Sequence, residues 1–183
     1  NILDGFRDAG GAMGHMHMLR TLQLPNRPRA IIATNRGQAR LDRIQQDFGD
    51  AAAAAGVELV TVSPQAEPGR LGREIDRLTG GRGCDDIVVI APDARTVAEA
   101  TPYLAPDGML VVFAGVQAGA LIELPLDRTP LYGAQFTGTS GSTVSDQLRV
   151  LDTTRQGILH PAQAVAAIGG MLALQQGLRA VLE

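Results

Sequence analysis

DAGGAMGHMHMLRTLQLPNRPRAIIATN, from Asp8 to Asn35, reads as a glycine-rich turn, a helical stretch and a buried strand in succession. The turn is Asp8-Ala9-Gly10-Gly11-Ala12-Met13-Gly14, the helix runs from His15 to Leu24 until Pro25 stops it, and the strand is Ala30–Thr34. Glycines let a backbone turn tightly and approach an anion closely, and the amides and dipole at a helix N-terminus favour negative charge. Asn35 follows the strand about 20 residues beyond the last glycine, the spacing at which a turn of this kind places a ribose-reading residue. A plain turn ahead of a helix explains the glycines equally well when they are taken alone.

Outward from this stretch the same unit recurs. Glu58–Val62, Asp86–Ile90, Met109–Ala114 and, more weakly, Gln135–Gly138 are short apolar runs without polar alternation, as parallel strands covered on both faces require. Gln38–Ala55, Arg70–Thr79, Ala94–Leu104, Thr143–Gln156 and Leu172–Leu182 carry apolar residues at three- and four-residue spacing. Strand and helix alternate at the length of a right-handed crossover. The expected fold is α/β, a doubly wound parallel sheet in three layers, as one domain over residues 1–183.

Composition excludes several functions. All 16 basic residues are arginine, so this stretch has neither the phosphate lysine of a P-loop nor a Schiff-base lysine. Cys84 is the one cysteine, which rules out an internal disulfide and a cysteine-built zinc site, and fits a reducing, cytoplasmic setting. A net charge of −3 gives no footprint for nucleic acid. No apolar run approaches the roughly 20 residues of a membrane span, and nothing at the start reads as a signal peptide.

Three segments carry a family likeness: AGGAMGHMH, the run LTGGRGCDD ahead of IVVIAP, and GMLVVFAGV. In order and spacing they resemble the coenzyme-binding (Rossmann) domain of zinc-dependent medium-chain dehydrogenases. Sorbitol, threonine and sugar-phosphate dehydrogenases, with a segment like GTSGST, are the most similar branch. The resemblance implies that Gly10, Gly11, Ala12, Met13 and Gly14 form the pyrophosphate turn and that Asn35 and Arg36 read the adenosine ribose. It further implies that Ala91 and Pro92 line the adenine side and that Ala114, Gly115 and Val116 lie beneath the nicotinamide. Thr137, Gly138, Thr139 and Ser140 are then expected to meet its carboxamide. Leu121–Leu124 corresponds to an edge strand through which such subunits pair as dimers.

The departures also carry information. No zinc motif or substrate pocket accompanies these residues, so zinc is expected only in a catalytic domain outside them, and the fragment alone is not expected to turn over substrate. The first strand, around Ile2–Asp8, is unusually charged, with Asp4, Arg7 and Asp8, and Asp8 stands where the family has a glycine. Asn35 replaces the usual acid, so NAD stays first on family grounds and NADP is open, because Arg36 and Arg40 either meet a 2′-phosphate or form a solvated helix start. The competing function is a non-catalytic nucleotide-sensing or scaffold domain; a methyltransferase ranks below both.

Other residues have plainer readings. His15 and His17 are two apart, which turns them to different sides of a helix and argues against a metal pair. Met13, Met16 and Met18 read as packing at the helix start. Asp85 and Asp86 read as a turn, and Cys84 as a small buried residue. The segment Thr137–Thr143 reads as a polar-binding nest, as an N-cap with Asp146 completing a capping box at Thr143, or as both.

Overall fold

The computed structural model describes residues 3–7, 11–113, 115–138, 141–165 and 167–182; for 3–7, 181 and 182 it describes the backbone. Asp8, Gly10, Ala114, Thr139 and Ser140 therefore lie outside the described residues, as do the side chains of Asp4 and Arg7.

Six strands form one parallel sheet: β1 (Leu3–Arg7), β2 (Ala30–Thr34), β3 (Glu58–Val62), β4 (Cys84–Val89), β5 (Leu104–Val112) and β6 (Gln135–Gly138). Their spatial order is β3-β2-β1-β4-β5-β6, the doubly wound order in which the chain first builds one half and then crosses to the other side of β1. The charged first segment is thus an interior strand, hydrogen-bonded to β2 on one side and β4 on the other. All five residues of β2 are buried, which explains why AIIAT is apolar throughout instead of alternating.

The seven helices of the described residues are α1 (Ala12–Gln23), α2 (Gln38–Ala54), α3 (Arg70–Thr79), α4 (Ala94–Ala100), α5 (Arg128–Tyr132), α6 (Val144–Arg155) and α7 (Leu174–Leu182). Successive side chains of a strand point to opposite faces, and β2 shows the consequence. Ile31 and Ala33 pack with Met18, Leu19 and Leu22 of α1 and with Ile44, Phe48 and Ala52 of α2. Ala30 and Ile32 pack on the other face, with Leu71, Ile75 and Leu78 of α3 and Val97 and Ala100 of α4. Cys84 is buried in that second cluster, as its sequence context suggests.

Several boundaries differ from the sequence expectation for identifiable reasons. Pro102 sits where α4 was expected to run on to Leu104, and the chain there tightens into a 3-10 turn at Thr101–Tyr103. β5 begins five residues before Met109, because its partner register jumps from Cys84↔Leu104 to Asp86↔Met109 across a bulge. That bulge holds Asp107 at φ 59°, the one non-glycine residue with positive φ among those described. The last helix starts at Leu174, after a 3-10 turn at Met171–Ala173.

One expected element is not a strand. Leu121–Leu124 alternates in exposure, with Leu121 exposed and Ile122 and Leu124 half-buried, yet it joins no sheet. The outer position beside β5 is taken by β6, which leaves Leu121–Leu124 without a backbone partner within the described sheet. Within a single copy the described sheet ends at Gln135–Gly138.

Candidate functional site

Strand register brings scattered loops to one crest. Arg7 pairs with Thr34 on one side and with Val89 on the other. Thr34 pairs in turn with Val62, Val89 with Val112, and Val112 with Gly138. These six residues form a row across the C-terminal ends of all six strands. The segments that follow them therefore emerge side by side. On either side of β1 the connections depart to opposite faces, which opens a crevice at the point where strand order reverses.

At the crevice α1 begins at Ala12, with Gly11 as its N-cap in an extended conformation (φ −96°, ψ 174°). Gly11 has no side chain with which to cap this helix, and the first turn holds no acidic residue. The first amides of a helix have no carbonyl partners inside it, so Ala12, Met13 and Gly14 present N–H groups and the positive end of the dipole to whatever lies in front. A Cβ added at Gly11 would meet nothing within 4 Å, which leaves room for a ligand to approach the backbone. Gly14 is buried. Ala12 and Met13 are exposed, and so is Met16; of the three methionines expected to pack, only Met18 is fully buried.

The two histidines of α1 go separate ways. His15 has its Nδ1 3.2 Å from the Gly11 carbonyl oxygen and its Nε2 3.0 Å from Asp47 Oδ2 on α2. Its ring also lies against Phe48, with centroids 5.3 Å apart. His17 instead meets Phe113, just after β5, edge to face at 5.0 Å. Burial, reinforced by Arg20, holds the His17 imidazole below its usual pKa and so favours the neutral ring.

Beyond the ends of β2, β3 and β4 a cavity of about 690 Å³ is lined by residues that follow these strands, among them Asn35, Arg36, Gln65, Ala91, Pro92 and Asp93. Asn35 is buried, and its Oδ1 accepts the Gly37 N–H at 2.9 Å, while its own N–H donates to the Val62 carbonyl at 3.3 Å. Its amide oxygen thus shapes the turn into α2. Arg36 is largely exposed, with Nη2 3.7 Å from Asp93 Oδ2. Asp93 also caps α4, accepting the Arg95 N–H at 3.0 Å and the Thr96 hydroxyl at 3.3 Å. Arg95 pairs with Glu99 at 2.8 Å, so the two guanidiniums of this wall each face a carboxylate.

The remaining expected residues stand on the other flank. Phe113 donates its N–H to the Val89 carbonyl at 2.8 Å, and Gly115 and Val116 follow it along the crest. Thr137 and Gly138 end β6 and are exposed. A Cβ on Gly138 would come within 2.8 Å of the Val112 carbonyl oxygen, so close strand pairing by itself demands glycine there. Thr143 forms the anticipated capping box with Asp146, each bonding the other's backbone N–H. The Thr143 hydroxyl, donating to Asp146 Oδ2 at 2.7 Å, and after it the Thr143 backbone N–H hold the Asp146 carboxyl below its usual pKa.

Sequence reading missed Asp47, whose contact with His15 crosses from α2 to α1 and leaves no local signature. It also missed Asp93 as a lining residue, although Asp immediately before a helix is a recognisable N-cap.

The chain matches no protein-family model. Mannitol-1-phosphate 5-dehydrogenase of Aliivibrio fischeri is 29% identical to it over 154 residues, which is 81% of this chain and 36% of that protein. Among solved structures, alcohol dehydrogenase TADH of Thermus sp. ATN1 superposes with a TM-score of 0.73 at 18% identity, over 98% of this chain and 47% of the other. The fold is that of a Rossmann domain. A short chain alcohol dehydrogenase of E. coli CFT073, solved in complex with NADH, gives a TM-score of 0.70 at 13% identity over 98% of this chain and 48% of its own. The chain thus spans between a third and a half of the length of these three proteins.

Proposed function

We propose that the chain binds a nicotinamide dinucleotide as the coenzyme domain of an NAD(P)-dependent alcohol or polyol dehydrogenase. The observation that carries this reading is the uncapped start of α1 at the reversal point of the sheet. There the free amides of Ala12, Met13 and Gly14 suit a diphosphate. The cavity beside Asn35, Arg36, Ala91 and Pro92 suits the adenosine half, and the stretch after Phe113 with Thr137 and Gly138 suits the nicotinamide half.

In the parent reaction hydride passes reversibly between the nicotinamide and a secondary alcohol or ketone. A domain outside these residues would hold the zinc, whose Lewis acidity would polarise the substrate oxygen. A phosphorylated sugar alcohol is the substrate class suggested by the mannitol-1-phosphate dehydrogenase likeness. Hydride transfer needs substrate held against the ring, so the residues of this chain bind and orient coenzyme without turning over an alcohol by themselves.

Family likeness favours NAD. The site itself offers no carboxylate at the end of β2 for a 2′-hydroxyl, because Asn35 occupies that place and its amide oxygen is engaged by Gly37. With Arg36 beside it, we read the site as accepting a 2′-phosphate as well. Pairing of two copies along Leu121–Leu124 belongs to the same reading, supported by the 94% exposure of Leu121 and by the segment's lack of a place in the described sheet.

Calorimetric titration with NAD and NADP tests this directly. Saturable one-to-one binding of either is expected. Heats indistinguishable from dilution for both, on a protein shown to be folded, would remove the coenzyme assignment and leave the fold.

A further inference from the structure

We propose that His15 is a positioning residue for the phosphate-binding turn, and that it works in its doubly protonated form as a strut between Gly11 and Asp47. The role rests on the coenzyme reading given above. Its basis is the pair of partners that the ring meets: Nδ1 faces the Gly11 carbonyl oxygen at 3.2 Å and Nε2 faces Asp47 Oδ2 at 3.0 Å. A carbonyl oxygen can only accept, and so can an ionised carboxylate. A neutral imidazole carries one N–H, so it satisfies one of these partners; the imidazolium satisfies both.

Asp47 is kept ionised by its surroundings. Arg43, four residues earlier on α2, places Nε 2.9 Å from Oδ1 and 2.8 Å from Oδ2. That bond, with a smaller contribution from His15 itself, holds the Asp47 carboxyl below the usual range. Among the described residues, the charged groups that face the ring are Asp47 and, through it, Arg43, both on α2. Phe48 supplies an uncharged wall.

The strut matters because of peptide geometry. The Gly11 carbonyl and the Ala12 N–H belong to one planar trans unit and point in opposite directions. Holding the carbonyl oxygen back toward the first turn aims the Ala12 N–H forward, into the space where a diphosphate would lie. The His15 backbone N–H bonds the same carbonyl at 3.1 Å, so the ring adds a second hold on the same oxygen. A cation one turn inside a helix N-terminus opposes the dipole; Asp47 offsets that cost, and a bound diphosphate would offset it further. Coenzyme binding and protonation of His15 then favour each other.

The experiment is calorimetric titration with NAD and NADP across the pH range in which imidazoles titrate, in buffers of different ionisation enthalpy. Wild type, His15→Phe and Asp47→Asn are compared, each checked for folding by circular dichroism. Phenylalanine keeps a ring against Phe48 without either bond. Asparagine can donate to a neutral Nε2, so it lets an uncharged ring bridge the same two elements. For wild type the affinity should fall roughly three- to tenfold as pH rises, the value of about one hydrogen bond, with proton uptake on binding over the range in which the affinity falls. His15→Phe should be weaker at low pH and nearly flat, whereas Asp47→Asn should retain affinity with a reduced slope. If wild type binds coenzyme with a flat profile, or His15→Phe binds as wild type does, the strut is overturned while the coenzyme reading stands. If wild type binds neither dinucleotide, both fall together.

Discussion

The guanidinium of Arg36, just beyond β2, lies 3.7 Å from the carboxylate of Asp93, just beyond β4, and both residues line the cavity beside Asn35. Asp93 is also the N-cap of α4, so its replacement by asparagine keeps a good cap while removing the charge. Asp93→Asn is therefore expected to leave thermal stability nearly unchanged and to raise the ratio of NADP to NAD affinity several-fold, since Arg36 is then free to meet a 2′-phosphate. Arg36→Ala should lower that ratio. Paired titrations of both coenzymes decide the matter, and an unchanged ratio in both variants counts against Arg36 as the group beside the ribose.

Gly11→Asp separates helix stability from coenzyme binding. Aspartate is favoured over glycine by a few tenths of a kcal/mol at an N-cap, and the space around Gly11 accepts a side chain. The melting temperature should hold or rise slightly. Diphosphate binding should drop at least tenfold, because the new carboxylate occupies the free amides and repels the ligand. Tight coenzyme binding by a stable Gly11→Asp protein would place the phosphates elsewhere.

His17 links stability to pH. Burial depresses its pKa in the folded protein, so the unfolded chain binds a proton more readily. Stability from this residue is complete above the ordinary imidazole value, about 6.5, and declines as pH drops below it toward the folded value. His17→Phe retains a ring against Phe113 without a titrating group. Urea midpoints measured from pH 7.5 to 5 should fall more steeply for wild type than for the variant. Parallel curves would mean that His17 has no such role.

Ile31 and Leu110 are fully buried on different faces of the sheet, in two different clusters. Truncating either to alanine should cost about 2–5 kcal/mol, transfer and cavity combined. With no shared partner the two should add to within about 0.5 kcal/mol in the double variant. Chemical denaturation of the three proteins checks both statements, and strong coupling between the sites would contradict the separation of the layers.

Local chemistry made much of this protein legible in its sequence. β2, β3, β6 and α3 lie where their residues alone put them, because short β-branched runs and three-four apolar spacing are local signals. The capping box at Thr143 is likewise a matter of residues three apart. β5 was less legible: its beginning depends on a bulge around Asp107 that only the pairing with β4 creates. For Leu121–Leu124 the alternation was legible and the strand was not, since a strand exists only where a neighbouring backbone completes it.

What the sequence determined by itself, then, was where β2, β3, β6 and α3 lie and the capping box at Thr143, all of which follow from interactions within a few residues. Tertiary structure alone decided that Thr34, Arg7, Val89 and Val112 stand in one row, that a charged segment serves as an interior strand, and that His15 reaches Asp47 and Asn35 spends its oxygen on Gly37. Register and inter-helix contacts are set by packing over long separations in the chain, and no window of sequence holds both partners of such a contact.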